Sequence, residues 1–214
     1  MTSHLEVPVE VSRRVPRQER GERRVAELLE AAEAVIAEIG YEAATMSAIA
    51  ERAGAAIGSL YQFFPNKPCI TQALRAEYAK RFDRMCAPLA ARATALNPRT
   101  LAGHLVNLAV DFAEAHPALP ALLDAPGSTR APSAIRRILQ ERFAGLALAQ
   151  NPNLSKPEAL RIGIVTLEMI KALNRLYMEV SPRERPGLVR EFKTALASYL
   201  KARSNACGNG RIET

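Results

Sequence analysis

Two short runs near the amino end hold side chains whose types and spacing suit recognition rather than bond-making. Thr45 stands where a helix cap belongs, ahead of an apolar-faced run through Ile49, Ala50 and Ala53 that Gly54 ends. A second run, Ile57 to Phe64, is closed by Pro65. Within it Leu60 and Phe64, four apart, share an inward face and leave Ser59, Tyr61, Gln62 and Phe63 on the remaining surface. Hydroxyls, an amide and aromatic rings on an exposed helix can hydrogen-bond and pack against a groove. Two short helices joined by a tight turn, with a longer helix ahead to cover their apolar faces, form the plan of a helix-turn-helix, whose second helix enters the major groove of DNA.

Arrangements that would support catalysis are missing from the sequence. There is no G-x-S-x-G, G-x-x-x-x-G-K-[ST], H-E-x-x-H or G-x-G-x-x-G, and His4, His104 and His116 have no metal-like spacing. His104 and Asp111 lie two turns apart and could pair as acid and base, yet nothing supplies a nucleophile, a metal or a cofactor site. Cys69, Cys86 and Cys207 form no C-x-x-C pair and read as free thiols of a reducing compartment. Cys69 lacks the flanking cations that would mark a reactive thiolate.

The elements that must position the two runs are helical throughout. The chain has 214 residues, 48% hydrophobic and 24% charged, enough for a full core. No segment alternates apolar and polar residues as a strand would, whereas 3.6-residue periodicity recurs from Val25 onward, which predicts an all-α fold of about nine helices. Residues 1–19, with Pro8 and Pro16, read as a flexible basic arm. Residues 20–67 read as the helix-turn-helix domain with its motif at 45–64, residues 68–204 as a helical domain, and 205–214 as a disordered tail. The first helix carries Val25, Leu28, Leu29, Ala32, Val35, Ile36 and Ile39 on one stripe and stops at Gly40. Further helices are expected over Pro68–Ala87, Pro98–Ala115, Leu119–Asp124, Pro132–Ala149, Pro157–Val180 and Pro182–Arg203, the last opened by a capping box of Ser181 and Glu184.

Charge is distributed unevenly. The net charge is +7, but residues 1–80 hold 10 Lys+Arg against 11 Asp+Glu, and residues 81–214 hold 19 against 11. The N-terminal exception runs from Ser12 to Arg24, where six arginines face only Glu19 and Glu22. Arginine outnumbers lysine 23 to 6, the usage of a GC-rich and hence bacterial genome. No stretch approaches the roughly 18 apolar residues of a membrane span, and the amino end does not read as a signal segment, which points to the cytoplasm and away from membranes.

The text Thr45-Met46-Ser47-Ala48-Ile49-Ala50-Glu51-Arg52-Ala53-Gly54, followed by Gly58-Ser59-Leu60-Tyr61-Gln62-Phe63-Phe64-Pro65-Asn66-Lys67, resembles the tetracycline-repressor (TetR) family of bacterial transcriptional regulators. The resemblance covers about Arg20–Arg81. It implies that Thr45, with Ser47 beside it, caps the second helix and touches a phosphate, that Tyr61 and Lys67 contact the DNA backbone, and that Gly58 permits close approach. It further implies that Ser59, Gln62 and Phe63 face base edges, the Gln62 amide suiting adenine and the Phe63 ring a thymine methyl, while Arg20, Arg23 and Arg24 add contacts from the arm. The chain departs from the family pattern at Ala55-Ala56-Ile57. Ala56 cannot cap the recognition helix, which weakens it by about 1 kcal/mol, and Ile57 brings no charge.

The same resemblance implies a homodimer built on the last two helices and reading a palindromic operator. Leu160, Ile164 and Leu167 on one helix, with Leu188, Phe192, Leu196 and Tyr199 on the other, are the expected interface; the less favoured alternative is that these stripes only close the protomer's own core. A pocket for a small, largely apolar effector is expected between about Arg81 and Val180. Its proposed polar and aromatic anchors are His104, Asn107, Asp111, Phe143, Glu168 and Tyr177; the first three also fit the solvent face of their helix. Repression is favoured over activation because no added segment offers a polymerase contact, and a helical adaptor that binds protein is the alternative from another class.

Overall fold

The computed structural model describes residues 17–125 and 134–204. Among those residues the chain is nine α-helices and one 3-10 turn, without a strand: α1 (Arg17–Ala43), α2 (Met46–Arg52), α3 (Ile57–Phe63), α4 (Lys67–Arg92), the 3-10 turn Ala93–Ala95, α5 (Pro98–Ala115), α6 (Leu119–Asp124), α7 (Ala134–Gln150), α8 (Lys156–Glu179) and α9 (Arg185–Ser204). The expected tail and most of the expected arm lie outside the described residues.

Local chemistry explains where element ends differ from expectation. Helix α1 begins at Arg17, so Arg20, Arg23 and Arg24 lie on a helix rather than an arm. Arg24 donates to Glu27 at 2.8 Å and Arg23 lies 3.5 Å from the same carboxylate, the one-turn pairing that favours a helix. Gly40, at φ 80, breaks the helical path as expected, and one more turn follows to Ala43. Helix α4 continues through Pro88 instead of ending there, because burial of Leu89 and Ala93 beyond it offsets the one lost backbone bond. Ser181 and Glu184 do pair, Oγ to Oε2 at 2.7 Å, but they close a turn ahead of α9, which leaves Pro186 in the first helical turn where its missing N–H is harmless. Two caps stand where prolines alone marked starts: Asn66 accepts from the Cys69 amide at 3.0 Å, and Ser155 forms a full capping box with Glu158.

Helices α1 to α3 make a small N-terminal unit, and α4 leads from it into the larger helical body. Arg142 of α7 holds Asp83 of α4 through two bonds of 2.7 and 3.0 Å. Helix α7 packs on α8 most closely at Gly163. There an added Cβ would fall well inside van der Waals contact distance of the Gln140 carbonyl oxygen and 2.8 Å from the Ala144 nitrogen. Gly145 on α7, by contrast, has open space around it. Gly163→Ala is therefore expected to lower stability by about 1–3 kcal/mol, whereas Gly145→Ala raises it by about 0.5–1 kcal/mol. Denaturant midpoints check both; equal effects of the two would contradict the close crossing.

Candidate nucleic-acid interface and internal cavity

The turn between α2 and α3 is built by backbone bonds. Gly54 adopts φ +58, its amide donates to the Glu51 carbonyl at 3.0 Å, and the Ala55 amide donates to Ala50 at 2.9 Å, the paired bonds of a Schellman ending. The start of α2 is capped by Thr45, whose Oγ1 accepts from the Ala48 amide at 3.1 Å. Helix α3 has no side-chain cap, as its Ala56 requires. Ile49, Ala50, Leu60 and Phe64 are buried and fix the pair against α1, and Arg52 adds a two-bond ion pair to Glu38 of α1. That guanidinium holds the Glu38 carboxyl below its ordinary range.

What remains outside is the surface expected to recognise a partner. Thr45, Ser47, Gly58, Tyr61, Gln62 and Phe63 are exposed and Ser59 is half-buried. Ile57, Tyr61 and Phe63 are 41%, 50% and 37% exposed, so a seven-residue helix presents three large apolar or aromatic side chains to solvent. Ile57 belongs to this face although sequence reasoning gave it no role. Lys67 is differently employed. Its ammonium donates to the carbonyls of Tyr41 at 2.8 Å and Glu42 at 3.0 Å, and lies 4.4 Å from the Tyr41 ring centroid. It thus closes the end of α1, and at least two of its three protons are committed there.

A cavity of about 150 Å³ lies between α4, α5, α6, α7 and α8. Tyr78, Ala79, Phe82, Phe112, Leu119, Leu122, Leu123, Leu139, Leu167 and Ile170 give it an apolar wall, and Arg75, Arg136, Lys171 and Asn174 interrupt that wall. Arg75 donates to the carbonyls of Leu122 and Ala125, both at 2.7 Å, which ties α4 to the end of α6. Tyr78 and Phe112 pack on His116, at ring centroid distances of 4.6 and 4.4 Å. His116 Nδ1 in turn hydrogen-bonds Glu33 of α1 at 2.8 Å. Burial, and then the neighbouring Glu33 carboxylate, push the Tyr78 phenol well above its usual range.

Two family models match the chain. One, for bacterial regulatory proteins of the tetR family, spans residues 28–74, and the other, for the tetracyclin repressor-like C-terminal domain, spans residues 98–200. The chain belongs to the TetR family. A stretch of 58 residues is 42% identical to the HTH-type transcriptional repressor KstR of Rhodococcus jostii, covering 27% of this chain and 26% of that protein. The chain thus matches only about a quarter of that relative's length. Among solved structures, a TetR-family regulator from Pectobacterium atrosepticum is 18% identical with a TM-score of 0.63, over 88% of this chain and 97% of that one. FadR of Bacillus subtilis, solved in complex with stearoyl-CoA, is 18% identical with a TM-score of 0.54, over 82% and 96%. These structures share the fold. Membership makes the chain a DNA-binding transcriptional regulator, and no helix among the described residues is long and apolar enough to cross a membrane.

Against this TetR fold the other expected residues are placed as follows. None of the six proposed ligand anchors lines the cavity. Asn107 and Asp111 are exposed and His104 half-buried, so this polar stripe follows the outer side of α5. Phe143 is core, edge-on to Phe82 at 6.4 Å. Tyr177 donates to Glu114 at 2.5 Å, which links α8 to α5 and raises the phenol above its ordinary range. Glu168 contacts two lining residues, accepting from Lys171 at 2.8 Å and lying 3.9 Å from Arg136. Of the expected interface, Leu160 and Ile164 are 39% and 37% exposed, and Leu188, Phe192 and Tyr199 are half-buried. Leu167 and Leu196 correct that expectation: both are buried in the protomer's own core, Leu167 against the cavity, and neither can reach a partner. Cys86 is buried, which pushes its thiol up to about 12 and leaves it inert.

Two substitutions test the local accounts. Lys67→Met is expected to lower stability by about 1 kcal/mol through the uncapped α1 carbonyls, and Ala56→Ser to raise it by about 0.5–1 kcal/mol through a new α3 cap. Chemical denaturation reads both, and an unchanged midpoint in either variant would contradict the corresponding role.

Proposed function

We propose that this chain is a homodimeric repressor that lays α3 of each protomer in the major groove of a palindromic operator and is released by a small, largely apolar effector. The observation that carries the reading is the outer face of α3. Tyr61, Gln62 and Phe63 project from a helix whose own inner residues, Leu60 and Phe64, are fully engaged with the core. The capped start of α2 offers its free amides to a phosphate, with Thr45 and Ser47 alongside. Arg24 lies near the start of α1, half-buried and paired with Glu27, where it can add a phosphate contact. Repression is favoured because a relative 42% identical over 58 residues is named a repressor.

The exposed apolar residues Leu160, Ile164, Val165 and Leu176 of α8, with the half-buried Phe192 and Tyr199 of α9, support pairing of two protomers through these helices. Two reading heads would then sit about one helical turn of DNA apart, roughly 34 Å. The cavity supports the effector part of the reading. It is apolar, and its wall includes α4, the helix that begins at the reader. One structural relative holds stearoyl-CoA, which agrees with a largely apolar ligand. A hundredfold loss of DNA affinity on binding needs about 2.7 kcal/mol of preference for the released state.

Operator duplexes obtained by selection from a random pool test the reading by fluorescence anisotropy. Affinity should fall linearly with log salt concentration. Tyr61→Ala should weaken all duplexes about tenfold, while Gln62→Ala should cost about 1–3 kcal/mol at one base pair and little elsewhere. Failure to enrich any sequence would overturn the reading in favour of an adaptor. Ile164→Arg should convert a dimer to a monomer in sedimentation velocity; an unchanged mass would contradict the α8 interface.

A further inference from the structure

We infer that Ile57, the first residue of α3, is a base-reading residue that selects thymine through its methyl group; the inference rests on the regulator reading above. Position is the first support. A recognition helix meets base edges with its N-terminal residues, and Ile57 opens α3. The residues on either side of it are small. Ala56 is exposed and forms no side-chain cap, and Gly58 has open space where a side chain would stand. The Ile57 side chain is therefore the first large group at this end of the helix, and its neighbours do not hold it away from a groove floor.

The second support is that the protomer, among its described residues, gives Ile57 no packing role. Leu60 and Phe64 fill the inner side of α3, whereas Ile57 is exposed and is neither in the core nor among the half-buried residues packed on it. Tyr61, one turn further on, is exposed along the same edge. Isoleucine is β-branched, so its χ1 is nearly fixed in a helix and a contact costs it little freedom.

Chemistry decides what such a residue reads. An aliphatic side chain neither donates nor accepts, so Ile57 cannot bond a phosphate or a polar base edge. Base pairs present donors and acceptors along the major groove, and the thymine methyl is the apolar feature among them. Set against guanine, or against the amino group of cytosine, Ile57 would strip water from a polar edge and return no bond. No residue of α3 carries a charge, so apolar contact, with hydrogen bonds from Ser59 and Gln62, is what this helix offers the bases.

Fluorescence anisotropy on the full chain with the selected operator duplex tests the inference. Each thymine is replaced in turn, in both half-sites together, by deoxyuridine, which removes the methyl and keeps every hydrogen-bonding group. At one position per half-site the replacement should weaken binding about fifteenfold, one buried methyl in each half-site being worth about fourfold. In Ile57→Ala that penalty should fall below about twofold, while Gln62→Ala should keep it. The alanine variant loses only an exposed side chain and should retain the wild-type denaturation midpoint. A wild-type chain that tolerates deoxyuridine at every position, a penalty undiminished in Ile57→Ala, or an operator without thymine in its half-sites overturns the inference alone. A chain that selects no duplex overturns the regulator reading and this inference with it.

Discussion

A half-buried hydrogen bond helps to join the first helix of the reader to the helical body. His116, at the end of α5, donates from Nδ1 to Glu33 of α1 at 2.8 Å while its ring packs on Tyr78 and Phe112. Tyr78 and Phe112 are also walls of the cavity. A single imidazole therefore touches both the aromatic lining of the cavity and the first helix of the reader. Because the core around it is close-packed, those rings cannot shift far without moving His116 or breaking its bond. Arg75 makes a second tie from α4 to the carbonyls ending α6, so the helix that leaves the reader is held along its first half by groups that also line the cavity.

The reader itself is held by short-range devices: a Thr cap, a glycine turn and a lysine that closes α1. This economy matters because residues 1–80 are almost electrically neutral. Non-specific attraction to a polyanion is then weak in this region, and recognition must come from a few side chains in defined geometry and from helix-end amides. The basic excess lies in residues 81–214.

The reader was legible in the sequence because its determinants are local. Thr45, Gly54, and the pair Leu60 and Phe64 announce a cap, a turn and an inner face from spacing alone, and each stands as expected. Periodicity was less informative in the larger body, since it shows that a residue is on the apolar side of a helix but not which neighbour it meets. Leu167 and Leu196 shared stripes with exposed residues and proved to be core. The cavity residues come from five helices spread over about a hundred positions, so no short window could have gathered them. Asn174 did leave a trace, as a lone amide seven residues after Leu167 on an apolar stripe. Arg23 and Arg24 misled because their pairing with Glu27 belongs to α1, where composition suggested an arm.

The most direct test of the account is amide hydrogen exchange of the chain with and without a selected operator duplex. If α2 and α3 read the groove, protection on adding DNA will concentrate at residues 45–64, with little change along α5, α7 and α9. Protection confined to those C-terminal helices, with residues 45–64 unaffected, would contradict it.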